Sequence, residues 1–335
     1  MPGRGVRGGL AAVATARLVR LAWHHSDMRS RALQALGTAA AVGGGALAYG
    51  SLVERNWFAL RRFEVPVLAP GLAPLRVLHL SDVHLTPGRH LLMSWIRSLD
   101  ALEPDLVVNT GDSIGHLQAV QPFLEALGPL LDRPGVFVYG SNDLYEPKPR
   151  NPAKYLWHSS SHAFNRNVPN MPWPELGAGM VAAGWLDANN RRGRIKAGDH
   201  DVEVAGVHDS HTGRDRYEDI AGPADPAADV RLGVMHSPEP RVMDQFAADG
   251  YDLLLAGHTH GGQLRLPMYG ALVTNCGLDP RLARGLHRYS GGDPGTGWPG
   301  TWLNVSAGLG TSPWAPIRFC CRPEASLLTL VPRIG

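Results

Sequence analysis

The chain has 335 residues, a mass of 36.1 kDa, 44% hydrophobic and 19% charged residues, and a formal net charge of +2. This composition supplies enough apolar material for a large core and excludes a disordered or fibrous chain. The near-neutral balance, with no basic stripe interleaved with aromatic residues, argues against a nucleic-acid partner. The cysteines number three, two of them adjacent, which excludes a disulfide framework and a CxxC zinc site.

An uncharged segment follows an arginine-rich beginning. Residues 1–31 contain six arginines, and residues 32–53 carry no charged side chain. A 22-residue helix is about 33 Å long, which is enough to cross a bilayer. We expect a transmembrane helix or signal anchor over residues 32–53. The alternatives are a signal peptide cleaved near Ala46-Leu47-Ala48 and a soluble packing helix.

The arginines also predict an orientation. Six precede the uncharged segment, and Arg55, Arg61 and Arg62 follow it closely. By the positive-inside rule the N-terminus is then cytoplasmic and the bulk of the chain lies outside. We expect a single-pass protein of the cell membrane with an extracytoplasmic catalytic domain. Residues 54–73 are interpreted as a linker, and residues 74–333 as that domain, with an insertion over residues 144–198.

Short apolar runs alternate with helical patterns along the rest of the chain. Apolar residues spaced three and four apart predict helices over Leu91–Leu102, Leu117–Leu131 and, within the insertion, Pro174–Ala183. The order of elements is typical of an α/β fold, in which ligands bind at the carboxyl ends of strands. Strands are expected at Leu75–Ser81, Asp105–Thr110, Val136–Tyr139, Val202–Val207, Val230–Met235, Asp252–Ala256, Trp302–Ser306 and Ala325–Leu330.

Polar residues follow several of these strands directly. Carboxylate oxygens together with imidazole nitrogens suit Mn, Fe, Zn or a similar divalent ion better than calcium. So many ligands suit two ions, which would clamp the attacking and leaving oxygens of a phosphoryl displacement with a hydroxide between them. One carboxylate must then bridge the ions, and we expect Asp112, in the turn Gly111-Asp112, to do so. The full set is Asp82, His84, Asp112, Asn142, His236, His258 and His260.

These motifs, in this order, resemble those of the calcineurin-like metallophosphoesterase superfamily over roughly residues 75–330. The tail, which includes Gly308-Leu309-Gly310 and Pro316-Ile317-Arg318-Phe319, is similar to the bacterial membrane-anchored branch. The motifs that carry the resemblance are Asp82-x-His84, Gly111-Asp112, Gly140-Ser141-Asn142-Asp143, His236 and Gly257-His258-Thr259-His260-Gly261-Gly262-Gln263.

The resemblance implies a fold of two mixed β-sheets sandwiched between helices, and two ligand sets that share Asp112. One metal would take Asp82, His84, Asp112 and His260, and the other Asp112, Asn142, His236 and His258. The resemblance also implies that Asn142, Asp112 and His258 are catalytic residues.

The same resemblance implies the reaction and the class of substrate. The chain would hydrolyse a phosphate ester or pyrophosphate bond through a hydroxide activated by the dinuclear centre. Some members of the membrane-anchored branch are described as cleaving UDP-diacylglucosamine, so a lipid-linked or nucleotide diphosphate is a reasonable substrate. The partners expected are therefore a phosphorylated small molecule or lipid-linked substrate and, through the N-terminal helix, the membrane.

The third motif departs from the family pattern. The family usually has Gly-Asn-His-Asp, in which the asparagine binds metal and the histidine helps to protonate the leaving group, whereas this chain has Gly140-Ser141-Asn142-Asp143. Without a gap, Ser141 falls in the ligand position and Asn142 in that of the histidine; with a shift of one residue, Asn142 still supplies the amide oxygen. An amide cannot replace an imidazolium as a proton donor. His208 or His211 could act as the proton donor in place of the family histidine. The alternative hypothesis is a catalytically weak, membrane-anchored module that binds metal and recruits a partner.

Overall fold

The computed structural model describes residue 31 and residues 33–149, 169–266, 268–291 and 299–333. The chain divides into two compact units, residues 1–49 and residues 50–335. The arginine-rich segment expected over residues 1–31 lies outside the described residues except for its last position. Residues 150–168 of the expected insertion lie outside them as well.

An apolar helix, α1, covers the segment that the sequence marks as a membrane span. It runs over Leu33–Asn56, and by length and composition it could cross a membrane. Leu36, Val42 and Leu47 are exposed along it, as expected of side chains that face lipid. Its last turns, from Gly50 onward, belong to the second unit. The expected apolar helix is therefore present and ends three residues later than predicted.

The first large sheet has six strands in the order β1-β14-β2-β3-β4-β5. Strand β14 runs parallel to the edge strand β1 and antiparallel to β2, and the remaining neighbours are parallel. The strands are β1 (Ala59–Leu68), β2 (Leu75–Leu80), β3 (Leu106–Asn109), β4 (Gly135–Phe137), β5 (Leu186–Asp187) and β14 (Glu324–Pro332).

The second large sheet also has six strands, in the order β12-β13-β9-β8-β7-β6. The central strands are parallel, and both edge strands pair antiparallel with their neighbours. The strands are β6 (Arg191–Ala197), β7 (His200–Gly206), β8 (Val230–Val234), β9 (Leu253–Ala256), β12 (Gly285–Gly291) and β13 (Gly300–Val305). A separate small hairpin consists of β10 (Arg265–Leu266) and β11 (Gly270–Ala271).

Three apolar clusters show that the layers are stacked helix, sheet, sheet, helix. The central cluster joins the facing sides of the two sheets, as Val77 and Val108 meet Val204 and Leu232. The other two clusters pack helices on the outer faces of the sheets. The helices are α2 (His90–Ser98), α3 (Val120–Leu127), α4 (Ser141–Leu144), α5 (Trp173–Ala182) and α6 (Pro240–Ala248). This confirms the expected sandwich of two mixed sheets between helices.

The elements predicted from apolar spacing are all present, with shifts at their ends. Both long helices are shorter than expected, because each finishes in a 3-10 turn, Leu99–Leu102 after α2 and Gly128–Asp132 after α3. Gly128 follows α3 with a positive φ of 48°. Such a backbone breaks regular α-helix geometry at that point.

The linker expected over residues 54–73 is wrong in its central part. Strand β1 occupies Ala59–Leu68 and pairs in parallel with β14 along its length. Arg61, Arg62 and Glu64 obscure the strand pattern in the sequence, but they are tolerated because β1 lies at a sheet edge. Pro66 is tolerated for the same reason, since an edge strand needs only one row of hydrogen bonds.

The insertion expected over residues 144–198 is also wrong in its second half. Strand β5 closes one edge of the first sheet, and β6 forms an edge of the second sheet against β7. From Arg192 onward the residues of β6 alternate between charged and uncharged side chains, and the four cations among seven residues hide a strand that is exposed on one side. These residues therefore belong to the catalytic domain itself.

A buried histidine links the two sheets. His79, which the sequence places inside a strand, is fully buried, and its Nε2 and Nδ1 lie 2.9 Å from Thr110 Oγ1 and 2.8 Å from Asn304 Nδ2. Burial disfavours the imidazolium and lowers the pKa of His79 to about 3. Its neutral ring is thus a structural group that joins β2 to β3 and β13.

His79 makes stability depend on pH in a predictable direction. Its pKa is lower in the folded chain than the 6.5 of an unfolded chain. Its contribution is therefore complete above pH 6.5 and is lost as the pH falls, because the unfolded state takes up the proton. When the pH falls from 7 to 5, we expect the free energy of unfolding to decrease by about 2 kcal/mol more in the wild type than in His79→Gln. Urea unfolding of the full chain, in detergent and with a chelator, measures this free energy at each pH. An equal decrease in wild type and variant would contradict the assigned role of His79.

Candidate metal centre

The polar residues expected as ligands lie on loops at the carboxyl ends of strands from both sheets. Asp82 and His84 follow β2, Asp112 follows β3, and Asn142 follows β4. From the second sheet, His236 follows β8, and His258 and His260 follow β9. The two sheets thus bring residues more than 170 positions apart in the chain to one place.

The backbone at these loops is unusual. Left-handed φ is rare for residues other than glycine and often marks a functional site. Here it recurs at the expected ligands, with values of 48° at Asp82, 42° at His84, 52° at Asp112, 67° at His258 and 49° at His260.

Two glycines of the motifs are needed because the ligands approach so closely. A Cβ added at Gly257 would lie 1.8 Å from Ser81 Oγ and 2.4 Å from Asp82 Oδ2. A Cβ at Gly140 would lie 2.3 Å from Asp112 Oδ1. All three distances are far below van der Waals contact, so any larger residue would push a carboxylate out of place.

The first group of ligand atoms consists of Asp82, His84 and His260. The Nε2 atoms of the two histidines lie 3.1 Å apart, and Asp82 Oδ1 is 3.6 Å from Nε2 of His260. Asp82 is fixed in turn, because Oδ2 accepts hydrogen bonds from Ser81 Oγ at 2.6 Å and from the backbone N–H of His258 at 2.9 Å. Two ring nitrogens and a carboxylate oxygen therefore face one point.

The second group is arranged around Asp112. Its Oδ2 lies 3.4 Å from Nε2 of His84 and 3.6 Å from Nε2 of His236. His236 Nε2 is in turn 3.3 Å from Nδ1 of His258. One carboxylate oxygen of Asp112 thus stands between a histidine of the first group and a histidine of the second.

Backbone carbonyls set the orientation of two rings in the second group. Nδ1 of His236 lies 2.8 Å from the carbonyl oxygen of Thr110, and Nε2 of His258 lies 3.2 Å from that of Asn275. A carbonyl accepts only from a protonated nitrogen, so each neutral ring has its lone pair on the other nitrogen. Those two nitrogens are the ones that face each other, as metal-binding histidines with outer carbonyl partners do.

Charge and burial compete at this place. Burial lowers the pKa of His236, but the charges of Asp112, Asp82 and Asp209 outweigh it and raise the pKa to about 9. Burial also raises the pKa of Asp112, yet the neighbouring His236 and His84 and the hydrogen bonds from Asn142 bring it below its usual value. Burial lowers the pKa of His258 and of His260. Buried imidazole nitrogens that face carboxylate oxygens at these distances form a donor set that fits divalent cations.

The third motif places Asn142, not Ser141, against the carboxylate of Asp112. The backbone N–H of Asn142 donates to Asp112 Oδ1 at 2.7 Å, and its side-chain amide lies 2.6 Å from Asp112 Oδ2. Asp143 anchors the turn, since its carboxylate accepts from the N–H groups of Ser113, Ile114 and Gly140. Rotating the amide by half a turn would put its oxygen in the same place, where it could share an ion with Asp112.

The two histidines expected as substitutes for the missing acid occupy different surroundings. The ring of His211 lies 4.4 Å from that of His258, next to the second group. His208 instead packs against Tyr139, with ring centroids 5.8 Å apart, and its Nδ1 accepts from the N–H of Asp209. Burial lowers the pKa of His208 to about 4. His211 is thus the better placed of the two.

Sequence reasoning missed the role of Arg318. Its side chain is fully buried and lies 3.3 Å from Nδ1 of His260. The same nitrogen, Nη2, donates to the carbonyls of Ala307, Gly308 and Gly310 at 2.7, 3.0 and 2.7 Å. The tail motif Pro316-Ile317-Arg318-Phe319 contains this arginine, but only the fold shows that its side chain supports the loop behind a ligand.

Comparison with known proteins agrees with this geometry. A family model described as calcineurin-like phosphoesterase matches residues 75–262. This region is more than half of the chain and contains all of the expected ligands.

Three curated proteins illustrate the similarity. The chain is 26% identical over 310 residues to phosphodiesterase YaeI of Escherichia coli, with 90% of this chain and 99% of that protein covered. It is 26% identical over 307 residues to UDP-2,3-diacylglucosamine pyrophosphatase LpxG of Chlamydia trachomatis, with 82% of this chain and 87% of that protein covered. It is 28% identical over 212 residues to a transmembrane protein with metallophosphoesterase domain of Bos taurus, with 62% of this chain and 45% of that protein covered.

Arg318 offers a test of the outer support of the site. Arg318→Lys keeps the charge but loses most of the forked donors, so the carbonyls of Ala307, Gly308 and Gly310 lose partners. We expect metal affinity to fall about 10–100-fold. Isothermal titration calorimetry of the metal-free full chain with Mn²⁺ measures this affinity. The matched control is Arg281→Lys, at an exposed arginine. Equal affinities in the two variants would contradict a supporting role for Arg318.

Proposed function

As a member of the calcineurin-like phosphoesterase family, this chain is a metal-dependent hydrolase of phosphoric ester bonds, and we propose that it uses two divalent ions to hydrolyse a lipid-linked or nucleotide diphosphate. One ion is held by Asp82, His84, Asp112 and His260. The other is held by Asp112, Asn142, His236 and His258. Mn, Fe and Zn are the ions that this mixture of oxygen and nitrogen ligands suits.

The position of Asp112 carries the proposal of two ions. Its Oδ2 lies within 3.6 Å of histidine nitrogens from both groups, His84 on one side and His236 on the other. A carboxylate that serves two ions brings them to the separation that phosphoryl transfer uses, roughly 3.5–4 Å. Its buried charge is held ionised by the neighbouring histidines and by Asn142.

The ions would supply an activated water and offset charge on the phosphoryl oxygens. The protein positions the ligands: the N–H of His258 holds the Asp82 carboxylate, and the Thr110 carbonyl fixes the proton of His236 at Nδ1. The amide of Asn142 can bind and orient a phosphoryl oxygen, but it cannot donate a proton as an imidazolium does. We assign the approach to the leaving group to His211, whose ring lies 4.4 Å from that of His258.

This chemistry favours substrates whose leaving group needs little protonation. A missing acid lowers rates by about 10²–10⁴-fold when the leaving group is poor, and by less for a pyrophosphate. The pyrophosphatase LpxG and the apolar helix α1 support a substrate linked to a membrane lipid, of which UDP-diacylglucosamine is one example. The arginine distribution around α1 supports an extracytoplasmic site.

The altered third motif also favours a second candidate function. A chain without the family histidine could hold metal while turning over slowly, and could act as a membrane-anchored module that recruits a partner. Ser141 and Asn142 are the residues that can distinguish the two candidate functions, because the other expected ligands match the family pattern.

Metal content and turnover together test the proposed function. The full chain in detergent should bind two metal ions and show Mn²⁺-stimulated hydrolysis, fastest on a nucleotide diphosphate ester and slower on a phosphodiester or phosphomonoester. We expect Asp112→Ala to lower turnover by about 10³-fold or more, because both ions lose a ligand. The exposed Asp219→Ala is the matched control. Two metals without turnover would favour the binding module, and absence of metal would contradict both candidates.

Restoring the family motif tests the missing acid. Changing Ser141→Asn together with Asn142→His should raise hydrolysis of a phosphomonoester with a poor leaving group by about 10-fold or more. Hydrolysis of a diphosphate should change less, since its leaving group needs no proton. Initial rates on both substrates, with Ser141→Asn alone as control, measure this. A fall on every substrate would mean that the native pair is adapted to its task.

A further inference from the structure

The hairpin that follows the last ligand loop exposes an unusual number of large apolar side chains. It comprises residues 264–272, of which 267 is outside the described residues. Exposure reaches 107% at Met268 and 75% at Tyr269, and the flanking Leu264, Leu266 and Leu272 are 43%, 50% and 40% exposed. The cost of leaving five such side chains in water is high for a segment this short. Some apolar environment is therefore expected to cover them.

The hairpin starts only four residues after a ligand. Its first residues, Leu264 and Arg265, pair with the loop at Phe319, where the N–H of Arg265 donates to the Phe319 carbonyl at 2.9 Å. Arg265 Nη1 also donates to the carbonyl of Gly261 at 2.8 Å. The base of the hairpin is thus fixed to the rim of the metal centre, while Met268 and Tyr269 form its tip.

The same loop holds the end of the apolar helix. Within the second unit, the N–H of Arg318 donates to the carbonyl of Gly50 at 3.2 Å. The buried carboxylate of Glu54 accepts hydrogen bonds from the backbone N–H groups of Cys320 and Cys321. One short loop of the second unit therefore contacts both the last turns of the helix, at Gly50 and Glu54, and the base of the hairpin.

Cationic side chains accompany the apolar ones. Arg265, Arg281 and Arg284 line a cleft of about 750 Å³ beside the hairpin, together with Leu266, Met268 and Tyr269, while Asp279 is the acidic residue on this lining. Three arginines against one aspartate leave an excess of positive charge. Apolar side chains that protrude among arginines are typical of protein segments that lie in the interface of an anionic bilayer.

We propose that the hairpin 264–272 inserts into the interfacial region of an anionic bilayer, as a second membrane contact beside the metal centre. Met268 and Tyr269 enter the acyl boundary, and the arginines face the phosphate groups. The opening of the metal centre is then held at the membrane surface, where the head group of a lipid-linked substrate lies. This contact extends the proposed function but does not depend on the identity of the substrate.

Lipid quenching of a fluorescent label tests the insertion directly. The full chain carrying Cys320→Ser, which removes the exposed cysteine, receives an NBD label at Met268→Cys. Val181→Cys on α5 is the matched control, because Val181 is 51% exposed outside the hairpin. The protein is reconstituted in phosphatidylethanolamine and phosphatidylglycerol vesicles that contain lipids with a nitroxide on the acyl chain.

We expect the nitroxide lipids to quench the label at 268 at least fivefold more strongly than the label at 181, and iodide in the water to do the reverse. Quenching should weaken in phosphatidylcholine vesicles, since the arginines then lose their anionic partners. Equal quenching of the two labels would overturn the proposal. Self-quenching at 268 that rises with protein density would show that a second copy covers the hairpin, and would overturn it too.

A charge variant links the contact to catalysis. Met268→Asp with Tyr269→Asp should leave hydrolysis of a soluble phosphodiester within twofold of wild type. Hydrolysis of a lipid phosphodiester in vesicles should fall at least tenfold. Equal rates on the vesicle substrate for variant and wild type would overturn the proposal. The quenching result stands apart from turnover, so an incorrect substrate assignment would leave the insertion test intact.

Discussion

Two carboxylates and four imidazoles share one largely buried space at the junction of the two sheets, and the rest of the catalytic domain accommodates that burial. Ionised carboxylates are costly to bury unless cations or hydrogen bonds offset their charge. Here Asp82 and Asp112 are buried and face histidine nitrogens. Burial lowers the pKa of His258 and of His260, so these two rings offer neutral nitrogens rather than positive charge to the carboxylates. Buried carboxylate oxygens and imidazole nitrogens that face one another form a donor set that fits divalent cations, and left-handed backbone at such residues often marks a functional site.

The loop that carries Arg318 connects this centre to the end of the apolar helix. Arg318 lies against His260, and Glu54 accepts hydrogen bonds from the backbone two and three residues farther along. Because Glu54 is buried, its carboxylate depends on those two N–H groups for its hydrogen bonds. Within the second unit, one short loop therefore contacts both a ligand of the metal centre and the buried Glu54.

Much of the fold and of the site could be predicted from the sequence, because the central strands are nearly continuous apolar runs and the ligands follow them directly. Strands β1 and β6 escaped prediction because edge strands carry charges, as Arg61, Arg62 and Glu64 do in β1. Arg318 belongs to a recognisable motif, yet its contact with His260 depends on tertiary packing that no local pattern encodes. The hairpin was missed because two-residue strands leave no periodicity to read.

The central claim is that one carboxylate, Asp112, joins two metal sites in a single centre. Electron paramagnetic resonance of the full chain loaded with Mn²⁺ tests this claim most directly, because two ions that share a carboxylate are magnetically coupled. A spectrum of a coupled pair, which reverts to that of isolated Mn²⁺ in Asp112→Ala, is the expected result. A spectrum of isolated Mn²⁺ in the wild-type chain at saturating metal would contradict the claim.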